Sequence, residues 1–148
     1  MIMREVVFAE REHIPLIADL EAKTFANPSS ESTLHHLLDT DGAKLVICIE
    51  DGKLLSYCSA VFVLDEVQIL NVATAPEYKK QGFAKEVIGF LINESKKSGM
   101  LSISLEVRVS NVPAISLYNG FGFFVAGTRK DFYVNPRENA FVMIKNLD

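Results

Sequence analysis

Residues 101–109 alternate without a fault, with Leu101, Ile103, Leu105, Val107 and Val109 on one side and Ser102, Ser104, Glu106 and Arg108 on the other. A period of two predicts a half-buried strand with a polar face. Upstream, Gly82 to Ser98 carries Ala84, Val87, Ile88, Leu91 and Ile92 at helical spacing and stops at Ser98-Gly99. Residues 43–50 and 53–64 are apolar runs around Asp51-Gly52, a strong hairpin signal, and a third strand follows over 67–74. Residues 4–8 read as a short first strand. Residues 12–25 read as a helix that tolerates Pro15 in its first turn, and Ser30 or Ser32 can cap a short helix ending at Leu38. Asn111 can cap a helix that accepts Pro113 and ends at Asn119-Gly120. Residues 121–128 and 140–145 read as two last strands joined by a polar loop containing Asn135-Pro136.

The strand at 67–74, the long helix and the strand at 101–109 form a βαβ crossover, so those two strands are expected to run parallel. The three strands before the helix form an antiparallel meander. The expected fold class is one α+β domain over residues 1–148, with a mixed sheet and no internal repeat. Pairing around a two-residue turn sets opposite Cys48 to Leu55 and Cys58 to Leu45, so no bridge between these cysteines is expected.

Composition narrows the function classes. With 49% hydrophobic and 23% charged residues and no Trp, the 148-residue chain is an ordinary globular sequence, not a disordered one. No apolar run approaches the roughly 18 residues of a membrane span. Arg4, Glu5, Glu10, Arg11 and Glu12 stand where a signal peptide needs an apolar stretch, which reads as cytoplasmic. A formal charge of -4 argues against a nucleic-acid backbone as partner, because such binding draws on Lys and Arg. It tolerates a basic acceptor.

Two segments carry candidate chemistry. Lys79-Lys80-Gln81-Gly82-Phe83-Ala84-Lys85 lies where a strand ends and a long helix begins. Outward amides and the positive helix end suit an anion there; the plainer alternative is a glycine easing a tight turn beside solvated lysines. The second segment is Leu105-Glu106-Val107-Arg108 followed by Asn111, Ala114 and Leu117-Tyr118-Asn119. A carboxylate on a strand and a phenol on the next helix are a base and an acid on rigid elements, or else a solvated Glu and a core Tyr. His13, His35 and His36 point to different helical sides and make a poor metal site. Cys48 and Cys58 sit in apolar strands without a base.

Taken together, these segments resemble the GNAT superfamily of acetyl-CoA-dependent N-acetyltransferases, and within it the ribosomal-protein-alanine N-acetyltransferase (RimI) family. The turn matches the Gln/Arg-x-x-Gly-x-Gly/Ala pattern over 79–84, and LEVRVSNVPAISLYNGFGF over 105–123 carries the family's LEVR, SN, AI, LY and GF landmarks in order. Arg129, Tyr133, Arg137-Glu138-Asn139-Ala140 and Met143 agree in the tail. The resemblance implies a mixed, mostly antiparallel sheet of six to seven strands, helices on both faces and a splayed parallel pair.

It also implies roles. The backbone of Val72, Ala73 and Thr74 would receive the acetyl-pantetheine arm, with the Val72 amide facing the oxyanion. Lys80, Gln81, Gly82, Phe83, Ala84 and Lys85 would cradle the pyrophosphate, and Asn111 would contact the pantetheine. Glu106 would be the base and Tyr118 the acid that protonates the leaving thiolate. Acetyl-CoA is the implied co-substrate, no metal is required, and a protein N-terminal amine, the alanine of a ribosomal protein, is the implied acceptor.

Departures fall in two places. Lys79 opens the loop in place of Arg or Gln. On the acceptor side, Phe25-Ala26-Asn27-Pro28-Ser29-Ser30 lacks the family's Trp, and Phe132-Tyr133 replaces a Tyr-Tyr pair. Other readings are acetyl transfer to a small amine or another N-terminus, and a non-catalytic acyl-CoA-binding domain.

Overall fold

In the computed structural model, residues 3–148 are described, and among them seven strands form one sheet in the order β1-β2-β3-β4-β5-β7-β6. The strands are β1 (Arg4–Phe8), β2 (Ala43–Glu50), β3 (Lys53–Val63), β4 (Glu66–Thr74), β5 (Ser102–Arg108), β6 (Phe124–Tyr133) and β7 (Glu138–Asn146). The helices are α1 (Ile14–Thr24), α2 (Glu31–Asp39), α3 (Phe83–Lys97) and α4 (Val112–Gly120). Only β4 and β5 run parallel; every other neighbouring pair is antiparallel. The crossover through α3 dictates that direction.

Both faces of the sheet are covered, which explains why β2 and β3 read as unbroken apolar runs. On one face α1 and α2 bury Ile14, Ile17, Leu20 and Leu34 against Leu45, Ile47 and Tyr57. On the other, α3 presents Phe83, Val87, Ile88, Leu91 and Ile92 to Val46, Cys58, Val67, Ile103 and Leu105. Helix starts follow their capping chemistry: the Ser30 hydroxyl accepts from the Thr33 amide at 3.1 Å, and Asn111 Oδ1 accepts from the Ala114 amide at 3.3 Å. Pro15 and Pro113 lie in first turns, where a missing amide hydrogen costs nothing.

Three expectations need correction. The Asp51-Gly52 turn keeps Glu50 opposite Lys53 and Ile49 opposite Leu54, but Leu55 is then an extra residue, so Cys48 faces Ser56 and Cys58 faces Val46. That is a β-bulge, and both cysteines are buried and unbridged. The buried stripe of α3 begins at Phe83 instead of Ala84. α4 ends at Gly120, as Asn119-Gly120 indicates, and Gly122 at φ 92° follows just past its end. The last two strands run over Phe124–Tyr133 and Glu138–Asn146 instead of 121–128 and 140–145, and their hairpin continues past the Arg108–Ala140 pair that ends β5.

A second bulge opens the sheet beside β5. Ser59 pairs with Asn71 and Ala60 with Ile69, leaving Leu70 as a surplus residue in β4. Pairing between β4 and β5 covers only Glu66 with Ser102, Val67 with Ile103 and Gln68 with Ser104. Beyond Gln68 the two strands part, because a bulge bends its strand and raises the local twist.

A buried carboxylate ties the α1–α2 connection to the sheet. Glu21 is 1% exposed; its Oε2 accepts from the Tyr57 hydroxyl and its Oε1 from the Ser29 amide at 2.8 Å. A carboxylate so deep needs such donors, since an unpaired buried charge is costly. Ser59 Oγ, on the same strand as Tyr57, is enclosed without a partner.

Candidate active site

The parting of β4 from β5 leaves one edge of β4 without a neighbour from Leu70 to Thr74. Ala75 donates its amide to Leu55 on β3 at 2.9 Å. Because amides in an antiparallel strand point alternately to either side, those of Thr74 and Val72 point away from β3, into the gap. The Ala73 amide points back to β3, with which it is paired opposite Tyr57. So of the three backbone positions expected from the sequence, Val72 and Thr74 offer donors to the opening.

At the mouth of the gap, the chain turns from β4 into α3 through Lys79–Gly82, all exposed. Lys80 at φ 65° and Gly82 at φ 86° both adopt the left-handed region, unusual for the lysine. The first helical bond of α3 runs from the Glu86 amide to the Gly82 carbonyl, and none of the amides from Lys79 to Lys85 donates a hydrogen bond among the described residues. Three lysines and the positive end of a 15-residue helix stand with them. Such a run of free donors at a helix start is suited to an anion. Phe83 and Ala84 contribute amides only: the Phe83 ring is buried under the Arg4 guanidinium, 4.8 Å from its centroid, and its carbonyl accepts from the Ser56 hydroxyl at 2.7 Å.

A Cβ built on Gly82 meets nothing within 4 Å, so the space above this turn is open for a ligand. Gly82→Ala is therefore expected to raise the KM for acetyl-CoA about tenfold, by filling that space and straining a left-handed residue by about 1 kcal/mol. Its melting temperature should move only a few degrees. Steady-state kinetics against acetyl-CoA, with a thermal melt beside them, check both numbers.

Glu106 and Tyr118 stand on different elements, β5 and α4. Glu106 lies on the polar face of β5, its side chain 15% exposed, with Arg129 Nε on β6 at 3.5 Å from Oε1. Tyr118, on α4, is only 6% exposed, and its ring packs on Phe123 at 5.6 Å between centroids. Its hydroxyl has no hydrogen-bond partner among the described residues yet is not sealed in, since Ser59 Oγ is the one enclosed side-chain atom there without a partner. Burial, and behind it the proximity of Cys58 and Tyr133, raises its pKa above the ordinary tyrosine value. No hydrogen bond joins Glu106 to Tyr118.

The residue within electrostatic reach of both is Tyr133, at the end of β6. Its own pKa is raised by burial first and then by the Glu106 charge, against the opposing pull of Arg108. Its ring lies under the Arg108 guanidinium, 4.3 Å from the centroid. The sequence marks Tyr133, Arg108 and Glu138 only as landmarks of resemblance. Their meeting depends on a hairpin longer than the apolar pattern indicates, so spacing carries no signal of it. Asn111, expected at the pantetheine, spends its Oδ1 on capping α4 and its backbone amide on the Arg108 carbonyl at 3.0 Å, and keeps its side-chain Nδ2 free of any hydrogen bond among the described residues.

Neither cysteine has the character of a nucleophile. Burial pushes both thiols up to about 12, and Cys48 also donates to Glu86 Oε2 at 3.2 Å. No cluster of three His, Cys, Asp or Glu side chains able to hold a metal ion occurs among the described residues.

A gap between parallel strands, lined by free strand amides and leading to a run of free loop amides, agrees with the sequence signature at 79–84. The acetyltransferase (GNAT) family profile matches residues 14–123. The chain belongs to the GNAT acetyltransferase family. It is thus an N-acyltransferase in class, and GNAT acetyltransferases use acetyl-CoA. The Escherichia coli (strain K12) ribosomal protein bS18-alanine N-acetyltransferase is 32% identical over 145 residues, covering 95% of this chain and 96% of that protein. The Haemophilus ducreyi protein of the same name is 34% identical over 130 residues, covering 84% and 88%. The crystal structure of the E. coli ribosomal-protein-S18-alanine N-acetyltransferase superposes with a TM-score of 0.91 at 30% identity, over 99% of this chain and 95% of that one. Among GNAT enzymes the chain is therefore similar to the RimI type, as the landmarks at 105–123 imply. No helix of the described residues is long and apolar enough to cross a membrane.

Proposed function

We propose that this chain transfers an acetyl group from acetyl-CoA directly to a protein N-terminal α-amine, the acceptor being the N-terminal alanine of ribosomal protein bS18. The observation that carries the reading is the run of undonated amides from Lys79 to Lys85 at the mouth of the β4–β5 gap. The acceptor is inferred from the names of relatives that match nearly the whole chain.

On this reading the Lys80–Lys85 amides hold the pyrophosphate, while the β4 edge at Val72 and Thr74 holds the acyl arm and Asn111 its pantetheine. Glu106, directly or through a water, accepts a proton from the incoming amine. The amine nitrogen bonds to the acetyl carbon, the Val72 amide donates to the developing oxyanion, and the carbon–sulfur bond breaks. Tyr118 gives its proton to the departing thiolate and is reprotonated from solvent. No covalent enzyme intermediate is needed. An α-amine near pKa 8 is already neutral in about a tenth of molecules at pH 7, against fewer than about one in a thousand for a lysine near 10.4. An N-terminal acceptor therefore asks less of Glu106 than a lysine would.

The test offers purified protein acetyl-CoA together with an alanine-starting peptide, the same peptide with a blocked N-terminus, a lysine peptide and spermidine, and follows free thiol. Turnover on the open N-terminus alone is expected. Turnover on the polyamine alone would replace the acceptor, and acetyl-CoA binding without any turnover would leave a non-catalytic acyl-CoA-binding domain.

A further inference from the structure

Arg108, the last residue of β5, makes more contacts than a strand-end arginine needs. Its Nη1 donates to the Pro136 carbonyl at 2.9 Å and to Glu138 Oε1 at 3.0 Å, its Nη2 reaches the Val134 carbonyl at 3.4 Å, and its guanidinium covers the Tyr133 ring. Glu138 is shared in turn: its Oε2 accepts from the Ser110 amide at 2.8 Å. Ser110 immediately precedes Asn111, the cap of the helix that carries Tyr118. Two side chains thus join the end of β5, the tip of the β6–β7 hairpin and the start of α4. Glu138 is kept below the usual carboxylate range by the Ser110 donor first and by Arg108 next.

The chemistry of the parts points to alignment more than to stability. Ion pairs near the surface contribute little to stability, so the fold does not depend on this one. A planar fork that meets a carboxylate and two carbonyls while stacking on a ring fixes direction, which an ammonium cannot do. It bonds two carbonyls of the turn at 134–137, where Val134 is exposed. We propose that Arg108 and Glu138 are positioning residues that clamp the hairpin tip bearing Tyr133 to the α4 start, setting the wall against which the acceptor peptide lies. The inference rests on the function proposed above, but neither residue is assigned contact with either substrate.

The test compares wild type with Arg108→Lys, which keeps the charge but loses the fork, and with Glu138→Gln, which loses the charge. Steady-state kinetics on the alanine-starting peptide should give a peptide KM raised about tenfold in both, with the acetyl-CoA KM within about twofold, as for a misaligned acceptor. The melting temperatures should stay within a few degrees of wild type. A peptide KM within about twofold of wild type, or equal rises in both KM values with a lowered melting temperature, overturns the proposal. Amide exchange at Ser110 supplies a readout free of activity: it should quicken about tenfold in Glu138→Gln, and unchanged exchange overturns the clamp even where the wild type acetylates no peptide. Quickened exchange in a protein without peptide acetylation would keep the clamp and discard the proposed acceptor.

Discussion

Replacing Tyr118 by Phe is expected to lower kcat by about 10²–10⁴-fold, the usual contribution of a positioned general acid, while the KM for acetyl-CoA stays within about twofold. Phe keeps the ring that packs on Phe123, so the melting temperature should hold. Only the hydroxyl, which engages no partner among the described residues, is removed. The pH dependence follows from the direction of its pKa. Burial favours the neutral phenol, so the proton is retained above the ordinary value near 10, and the acid form persists across neutral and mildly basic pH. The wild-type kcat should therefore show no basic limb due to this group below about pH 10. A fall centred below about pH 9 that vanishes in Tyr118→Phe would contradict the upward direction of its pKa while keeping the hydroxyl as the acid. Glu106→Gln is expected to cost kcat within the same range. If both variants turn over like wild type, the acid and base are elsewhere.

Gly42→Ala is expected to be the most damaging single-methyl change for stability. Gly42 stands between α2 and β2 at φ 81°, and its carbonyl accepts from the Phe62 amide at 2.7 Å. A Cβ there would lie 2.2 Å from the Phe62 carbonyl oxygen, which is backbone and cannot turn aside. Left-handed strain of about 1–2 kcal/mol and overpacking of about 1–3 kcal/mol sum to a loss of about 2–5 kcal/mol. For a chain of this length that lowers the melting temperature by roughly 5–15 °C. Gly52→Ala is the control: it shares the positive φ, at 78°, but meets nothing within 4 Å, so it should lose only the strain. Equal melting temperatures for the two variants would show that the Phe62 contact relaxes freely.

What could be read from the sequence depended on which faces are buried. β5 has one polar side, so its alternation carries register, and Ile103, Leu105 and Val107 are buried as the pattern dictates. The helices were equally legible, with Ser30 and Asn111 capping where side-chain chemistry puts them. β3 is buried on both sides from Leu54 to Ala60, so a one-residue slip changes no polarity, and the surplus Leu55 leaves no trace in the pattern. The turn at 79–84 was legible as a glycine turn before a helix because its glycine and its place in the chain are both local. The partners of Tyr133 were not, since Arg108 and Glu138 are 30 positions apart and meet only through strand order.

Leu70 gives the sheet nothing it lacks. With that residue excised, Ile69 would adjoin Asn71, and Asn71, Val72 and Ala73 would still fall on the sides they occupy now. The polypeptide could then zip β4 to β5 along its full length, hiding the Val72 amide in an ordinary ladder. Deleting Leu70 is thus expected to close the gap beside β5, and a retained cooperative melt with lost acetyl-CoA binding is the result that checks it.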